Sequence, residues 1–100
     1  MGHWHDVQTD LREPARDLRQ MIPDTYAGFA ELHKGAMAKG ALSQAMKEVI
    51  ALAISVVERC DGCIAAHARG AARRGATREQ VAEAIGVAIL MTGGPGTVYG

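Results

Sequence analysis

The sequence predicts an all-α protein of five helices, with the start of a sixth near Val98 and no β-sheet. Apolar residues recur at intervals of three and four along most of the 100 residues, and alternation with a period of two is nearly absent. Capping residues divide this pattern, since Ser43 and Thr77 can each begin a helix and Gly40 and Gly75 can each end one. These observations favour a bundle of short helices.

The first two helices are separated by Pro23. A polar first helix is expected from Asp10 to Met21, with Pro14 tolerated near its start. A second helix is expected from about Thr25 to Lys39, where Gly40 can end it.

The third helix contains the longest apolar run, from Val49 to Val57, which includes one polar residue, Ser55. The β-branched residues of this run also suit a buried strand. The run continues from residues 44–48, however, and the combined length to Glu58 favours a helix capped by Ser43. It is too short to span a bilayer.

The last two expected helices have clear end signals. The fourth begins within the segment Cys60–Cys63 and ends at Arg74, just before Gly75. The fifth begins with a capping box, in which the side chains of Thr77 and Gln80 each bond to a backbone amide of the other residue. One face of the fifth helix should be buried, and it carries Val81, Ala84, Ile85, Ala88 and Thr92. The turn at residues 93–96 ends it.

The composition predicts a single domain, residues 1–100, with a polar N-terminal segment over residues 1–22. Apolar residues make up 48% of the chain but aromatic residues only 4%, so the core must consist mainly of small and aliphatic side chains. Each such side chain buries little apolar area, and burial stabilises the fold by about 25 cal/mol per Å². We therefore expect homo-oligomerisation to bury further apolar surface.

The charge balance argues against nucleic-acid and membrane partners. Lys and Arg number 11 and Asp and Glu number 11, so the chain lacks an excess of positive charge. The N-terminal residues 1–5 (Met-Gly-His-Trp-His) do not resemble a secretory signal, and the cytoplasm is therefore the expected location. In that compartment a cysteine pair is more often redox-active or metal-binding than a structural disulfide.

Cys60 and Cys63 have the spacing of a redox-active dithiol. In the first turn of a helix, two intervening residues allow the sulfurs to reach bonding distance, and the unpaired amides of that turn favour a thiolate. Asp61 can cap such a helix. A CxxC pair alone is weak evidence, because metal sites also use it.

His67 strengthens the redox interpretation, and Glu48 is a further candidate residue. His67 follows Cys63 by four residues, so that it lies on the same helix face and can accept a proton from the thiol. Glu48 lies one helix earlier and could orient the imidazole. It could equally be an exposed residue that interacts favourably with a helix dipole. The residues themselves do not decide between these two roles for Glu48.

The segment from Glu48 to His67, E-VIALAISVVER-C-DG-C-IAA-H, resembles the AhpD-like branch of the carboxymuconolactone decarboxylase family. The likeness extends over about residues 23–99. It implies an all-helical AhpD-like domain in which Cys60 and Cys63 are the redox pair and His67 and Glu48 form a proton relay. Gly62 stands where some peroxidase members have a histidine.

The same resemblance implies a thiol-dependent peroxidase or thiol-disulfide oxidoreductase that acts on alkyl hydroperoxides without a cofactor. The implied partners are a small hydroperoxide, a dithiol, lipoyl or thioredoxin-like reductant, and further copies of the chain in a trimer or a hexamer built as a trimer of dimers. Lactone decarboxylases of the family lack the CxxC pair, so that reaction is less expected.

Two other interpretations stay open. Cys60, Cys63 and His67 could bind zinc with His33 or water as a fourth ligand, although a second, well-separated ligand pair is not evident. The Ala- and Gly-rich helices could also form an oligomeric scaffold without catalysis. The order of attack is open as well, since proximity to His67 favours Cys63, whereas greater exposure at the start of the segment would favour Cys60.

Overall fold

The structure, a computed structural model, describes the backbone of residues 2–100 and the side chains of residue 10 and residues 12–100. The side chains of His3, Trp4 and His5 lie outside this description. Over the described residues the fold is all-α, as predicted, without a strand. Its six helices are α1 (Gly2–Met21), α2 (Pro23–Met37), α3 (Gln44–Glu58), α4 (Asp61–Arg73), α5 (Arg78–Thr92) and α6 (Gly94–Tyr99).

The first and last helices differ most from the predicted boundaries. α1 begins at Gly2 and not at Asp10, so that Pro14 lies inside the helix, where it removes one backbone hydrogen bond. α6 begins at Gly94, well before Val98, with a proline among its first two residues. A proline suits a helix start, because the amide that it lacks has no helical partner there.

α2 also begins and ends earlier than the sequence predicted. It begins at Pro23, whose fixed backbone angle suits a first helical position, and not at Thr25. It ends at Met37, because Ala38 is already extended. Gly40 therefore lies in the connection to α3 rather than at the helix end.

The caps predicted at Ser43 and Thr77 are confirmed. The Ser43 hydroxyl accepts a hydrogen bond from the Met46 amide at 3.1 Å. At the start of α5, the Thr77 hydroxyl accepts from the Gln80 amide at 3.0 Å, and the Gln80 side chain accepts from the Thr77 amide at 2.9 Å. Both helices consequently begin where the sequence places them.

α3 and α4 are joined by a connection of only two residues, Arg59 and Cys60. The Cys60 amide donates to the Ser55 carbonyl at 3.1 Å, and the Arg59 amide donates to the Val56 carbonyl at 3.2 Å. These two bonds form a Schellman motif, with Arg59 in the left-handed region at φ 56°. The motif ends α3 and reverses the chain at once, so that Asp61 already belongs to α4.

The core is small and lies where α3, α4 and α5 meet. Its cluster consists of Leu52, Val56, Ile64 and Ala88, with Val81 and Tyr99 packed against it. The face of α5 that the sequence predicted to be buried is confirmed, since Ala88 is buried and the other four residues of that face are half-buried. α2 has no buried residue. Among the described residues, no helix is long and apolar enough to cross a bilayer.

Candidate redox site

Cys60 and Cys63 form a disulfide at the start of α4, with their Cα atoms 5.2 Å apart. Cys60 is the N-cap of the helix, and its sulfur accepts a hydrogen bond from the Cys63 amide at 3.3 Å. Asp61, which the sequence suggested as the cap, is instead the first helical residue. Because the sulfur of Cys60 lies at the positive end of the helix dipole, the helix start stabilises negative charge on it after reduction.

The two cysteines differ in their surroundings. Cys63 is exposed, whereas Cys60 is half-buried. Greater exposure would have favoured Cys60 as the attacking residue, but the structure shows the opposite order. Cys63 also precedes His67 by one helical turn, a spacing that places their β carbons about 5–6 Å apart. Cys63 is therefore both the more accessible sulfur and a neighbour of the imidazole.

The side chains of Glu48 and His67 meet across the interface between α3 and α4. The carboxylate oxygen Oε1 of Glu48 lies 2.7 Å from Nδ1 of His67. A carboxylate accepts, so Nδ1 donates this bond and the lone pair of the neutral ring lies on Nε2. The side chains are only 15% and 22% exposed, respectively, and partial removal from water strengthens a hydrogen bond of this kind.

Gly70 leaves the space that the Glu48 carboxylate occupies. A β carbon at residue 70 would lie 2.5 Å from Cδ of Glu48 and 3.0 Å from Oε1. Since real side chains do not approach so closely, a side chain at this position would displace the Glu48 carboxylate, whereas glycine leaves it room to reach His67. The sequence interpretation missed this residue. A glycine inside a helix, three residues after His67 and on the same face, was the available signal.

His33 reaches the same site from α2. The rings of His33 and His67 are nearly parallel, with their centroids 6.5 Å apart and an interplanar angle of 12°. His33 also lines an open cavity of about 570 Å³ between α1 and α2, together with Arg19 and Tyr26. The sequence suggested His33 only as a possible fourth zinc ligand, because a ring contact between side chains on distant helices leaves no local pattern.

The structure thus brings Glu48 and His67 into contact and bonds Cys60 to Cys63. It does not arrange them as a zinc site. Among the described residues, no group of three or more His, Cys, Asp or Glu side chains is placed to hold a metal ion. The two sulfurs are bonded to each other.

Residues 23–100 match the sequence model of the carboxymuconolactone decarboxylase family. The chain belongs to this family. The AhpD-like resemblance is consistent with that membership, and the match begins at Pro23, as the sequence indicated.

Two relatives are similar to this chain over much of its length. An uncharacterized protein of Cupriavidus necator is 41% identical over 97 residues, which cover 94% of this chain and 86% of the relative. A protein of Paracoccus denitrificans, named uncharacterized protein 4 in cox locus, is 47% identical over 66 residues, or 66% of this chain and 60% of the relative.

A solved structure shares the fold. The crystal structure of the apo form of a carboxymuconolactone decarboxylase family protein from Legionella pneumophila matches with a TM-score of 0.94 at 33% sequence identity. The match covers 99% of this chain and 88% of that one. The all-helical arrangement is therefore the fold of the family.

Gly70→Ala should separate Glu48 from His67. Alanine favours a helix over glycine by about 1 kcal/mol, whereas a hydrogen bond to a charged group contributes about 1.5–3 kcal/mol. We expect a net loss of about 0.5–2 kcal/mol in the free energy of unfolding, measured with urea. We also expect loss of the Nδ1 proton signal of His67 in NMR spectra.

Gly86→Ala is the matched control, because a β carbon at this position in α5 meets no atom within 4 Å. It should leave the His67 signal unchanged and stabilise the protein by up to about 1 kcal/mol. If Gly70→Ala were as stable as Gly86→Ala and kept the signal, the proposed role of Gly70 would be wrong.

Proposed function

We propose that this protein is a thiol-dependent peroxidase that reduces small organic hydroperoxides with the Cys60–Cys63 pair. One observation carries the proposal. The hydrogen-bonded pair of Glu48 and His67 lies one helical turn from a cysteine that forms a disulfide at the start of the same helix. Membership of the carboxymuconolactone decarboxylase family and the AhpD-like motif support it.

In the first step the reduced protein reacts with the hydroperoxide. Glu48 holds His67 with the lone pair on Nε2, which accepts the proton of the Cys63 thiol. The thiolate attacks the terminal peroxide oxygen, the O–O bond breaks, and Cys63 becomes a sulfenic acid. The leaving alkoxide takes the proton from His67, and an alcohol departs.

In the second step the two cysteines condense. The Cys60 thiolate, stabilised at the N-cap, attacks the sulfur of Cys63, so that a disulfide forms and the sulfenic oxygen leaves as hydroxide, which takes a proton from solvent to become water. An external dithiol, such as a lipoyl group or a thioredoxin-like protein, then reduces the disulfide by exchange and becomes a disulfide itself. The cytoplasm, our proposed location, maintains such dithiols.

Cys63 is the proposed attacking residue because exposure and proximity to His67 both favour it. Cys60 is better suited to the resolving role, since it is half-buried and its sulfur accepts the helix amide. The two cysteines should therefore respond differently to substitution.

Single cysteine variants test these roles. On addition of cumene hydroperoxide, the reduced parent should lose two thiols and about two hydrogens in mass, and a dithiol should restore both. Cys60→Ser should still react at Cys63 and stop at a sulfenic acid that dimedone traps. Cys63→Ser should react about a hundredfold more slowly, because Cys60 lacks the imidazole as a general base.

The double variant Cys60→Ser/Cys63→Ser is the control for reactions elsewhere in the protein. Continued turnover of hydroperoxide by this variant would refute the peroxidase proposal. Equal rates for the two single variants would instead refute the assignment of Cys63 as the attacking residue.

We further propose that the chain assembles into a homo-oligomer, either a trimer or a hexamer made as a trimer of dimers. α2 has no buried residue, although an isolated helix of its 15 residues is marginal in water. Phe29 and Leu32 on α2 are 63% and 66% exposed, and Leu90 on α5 is 80% exposed. Burial of such side chains at an interface with a second copy of the chain would stabilise both helices.

Sedimentation equilibrium tests the assembly. We expect the parent to have a mass of three or six chains, and Leu32→Glu should shift it to smaller species, because a charge would be buried at the interface. Lys34→Glu, two residues away on the same helix, should keep the parent's mass. A monomeric parent at micromolar concentration would contradict the proposal.

A further inference from the structure

The relay side chain His67 is held on two sides. Its edge bonds to Glu48 through Nδ1 at 2.7 Å, and one of its faces lies against the nearly parallel ring of His33. Glu48 comes from α3 and His33 from α2. The imidazole therefore has neighbouring side chains from two helices other than its own.

The separation of the two rings is in the range of an attractive aromatic pair. Their centroids are 6.5 Å apart, and pairs of aromatic rings interact favourably at about 4.5–7 Å. A single hydrogen bond to Nδ1 fixes one edge of a ring but leaves it free to tilt about that bond. A flat group against the face removes this remaining freedom.

We propose that His33 is a positioning residue, which holds the ring of His67 so that Nε2 stays directed to Cys63. This inference rests on the proposed function, because it assigns His33 a role in activating the attacking thiol. It acts through His67 and not on the substrate. It also gives α2 a part in the site, although all four residues of the redox motif lie on α3, on α4 or between them.

His33 is well suited to substitution. The side chain is exposed and borders an open cavity of about 570 Å³, so that its truncation removes little packing from the core. The free energy of unfolding of the His33 variants should therefore be close to that of the parent. His33→Ala removes the ring, whereas His33→Phe keeps a flat ring without the imidazole nitrogens.

The first measurement is the tautomer of His67, read from the ring nitrogen signals in ¹H–¹⁵N NMR spectra. The parent should show a proton on Nδ1. His33→Ala should show an exchange-averaged or shifted His67 signal, and His33→Phe should restore the parent's signal. Lys34→Ala, at an adjacent position of α2, should leave it unchanged.

The second measurement is the rate at which the reduced protein reacts with iodoacetamide. His33→Ala should lower the Cys63 rate about two- to tenfold, which corresponds to the energy of one aromatic pair. His33→Phe should stay within about twofold of the parent, since the ring pair is retained. If Lys34→Ala lowered the alkylation rate as much as His33→Ala, the effect would come from any change in α2, and the inference would be overturned.

The inference would also be overturned if His33→Ala kept both the parent's tautomer and its alkylation rate, or if His33→Phe lost as much as His33→Ala. Neither readout uses a hydroperoxide. If the parent failed to reduce hydroperoxides, the proposed function would be wrong, while the tautomer signals would still decide the role of His33.

Discussion

The close approach of α3 and α4 is the constraint on which the candidate site depends. The Schellman motif at Arg59 reverses the chain within two residues, and the two helices then run side by side. Gly70 leaves the space that the Glu48 carboxylate occupies between them. Without that approach the carboxylate would not reach His67, and the imidazole would lose its hydrogen bond to α3.

This helix pair brings a sulfur at a helix start near the imidazole of His67. The turn that ends α3 also makes Cys60 the N-cap of α4, so that the helix start supports charge on its sulfur. His67 lies one turn after Cys63 in α4, and the Glu48 carboxylate, which comes from α3, fixes its tautomer. A small core is sufficient to keep α3 and α4 in contact, because the side chains of Leu52, Val56 and Ile64 pack between them.

Patterns that are local in sequence predicted the structure best. The caps at Ser43 and Thr77 and the redox spacing of the cysteines depend on neighbouring residues, and the structure confirms the caps and the disulfide geometry. The position of Glu48 could not be decided locally, because it depends on which turns of two helices face each other. The pairing of the His33 and His67 rings was missed for the same reason, since the two residues lie on helices far apart in sequence.

The most direct test of the central claim is the second-order rate constant for cumene hydroperoxide reduction by Glu48→Gln, compared with Glu58→Gln at an exposed position of the same helix. If Glu48 orients His67 for proton transfer from Cys63, Glu48→Gln should be slower by about a hundredfold, and Glu58→Gln should match the parent. A Glu48→Gln protein that reduced hydroperoxide at the parent's rate would contradict the role of this pair.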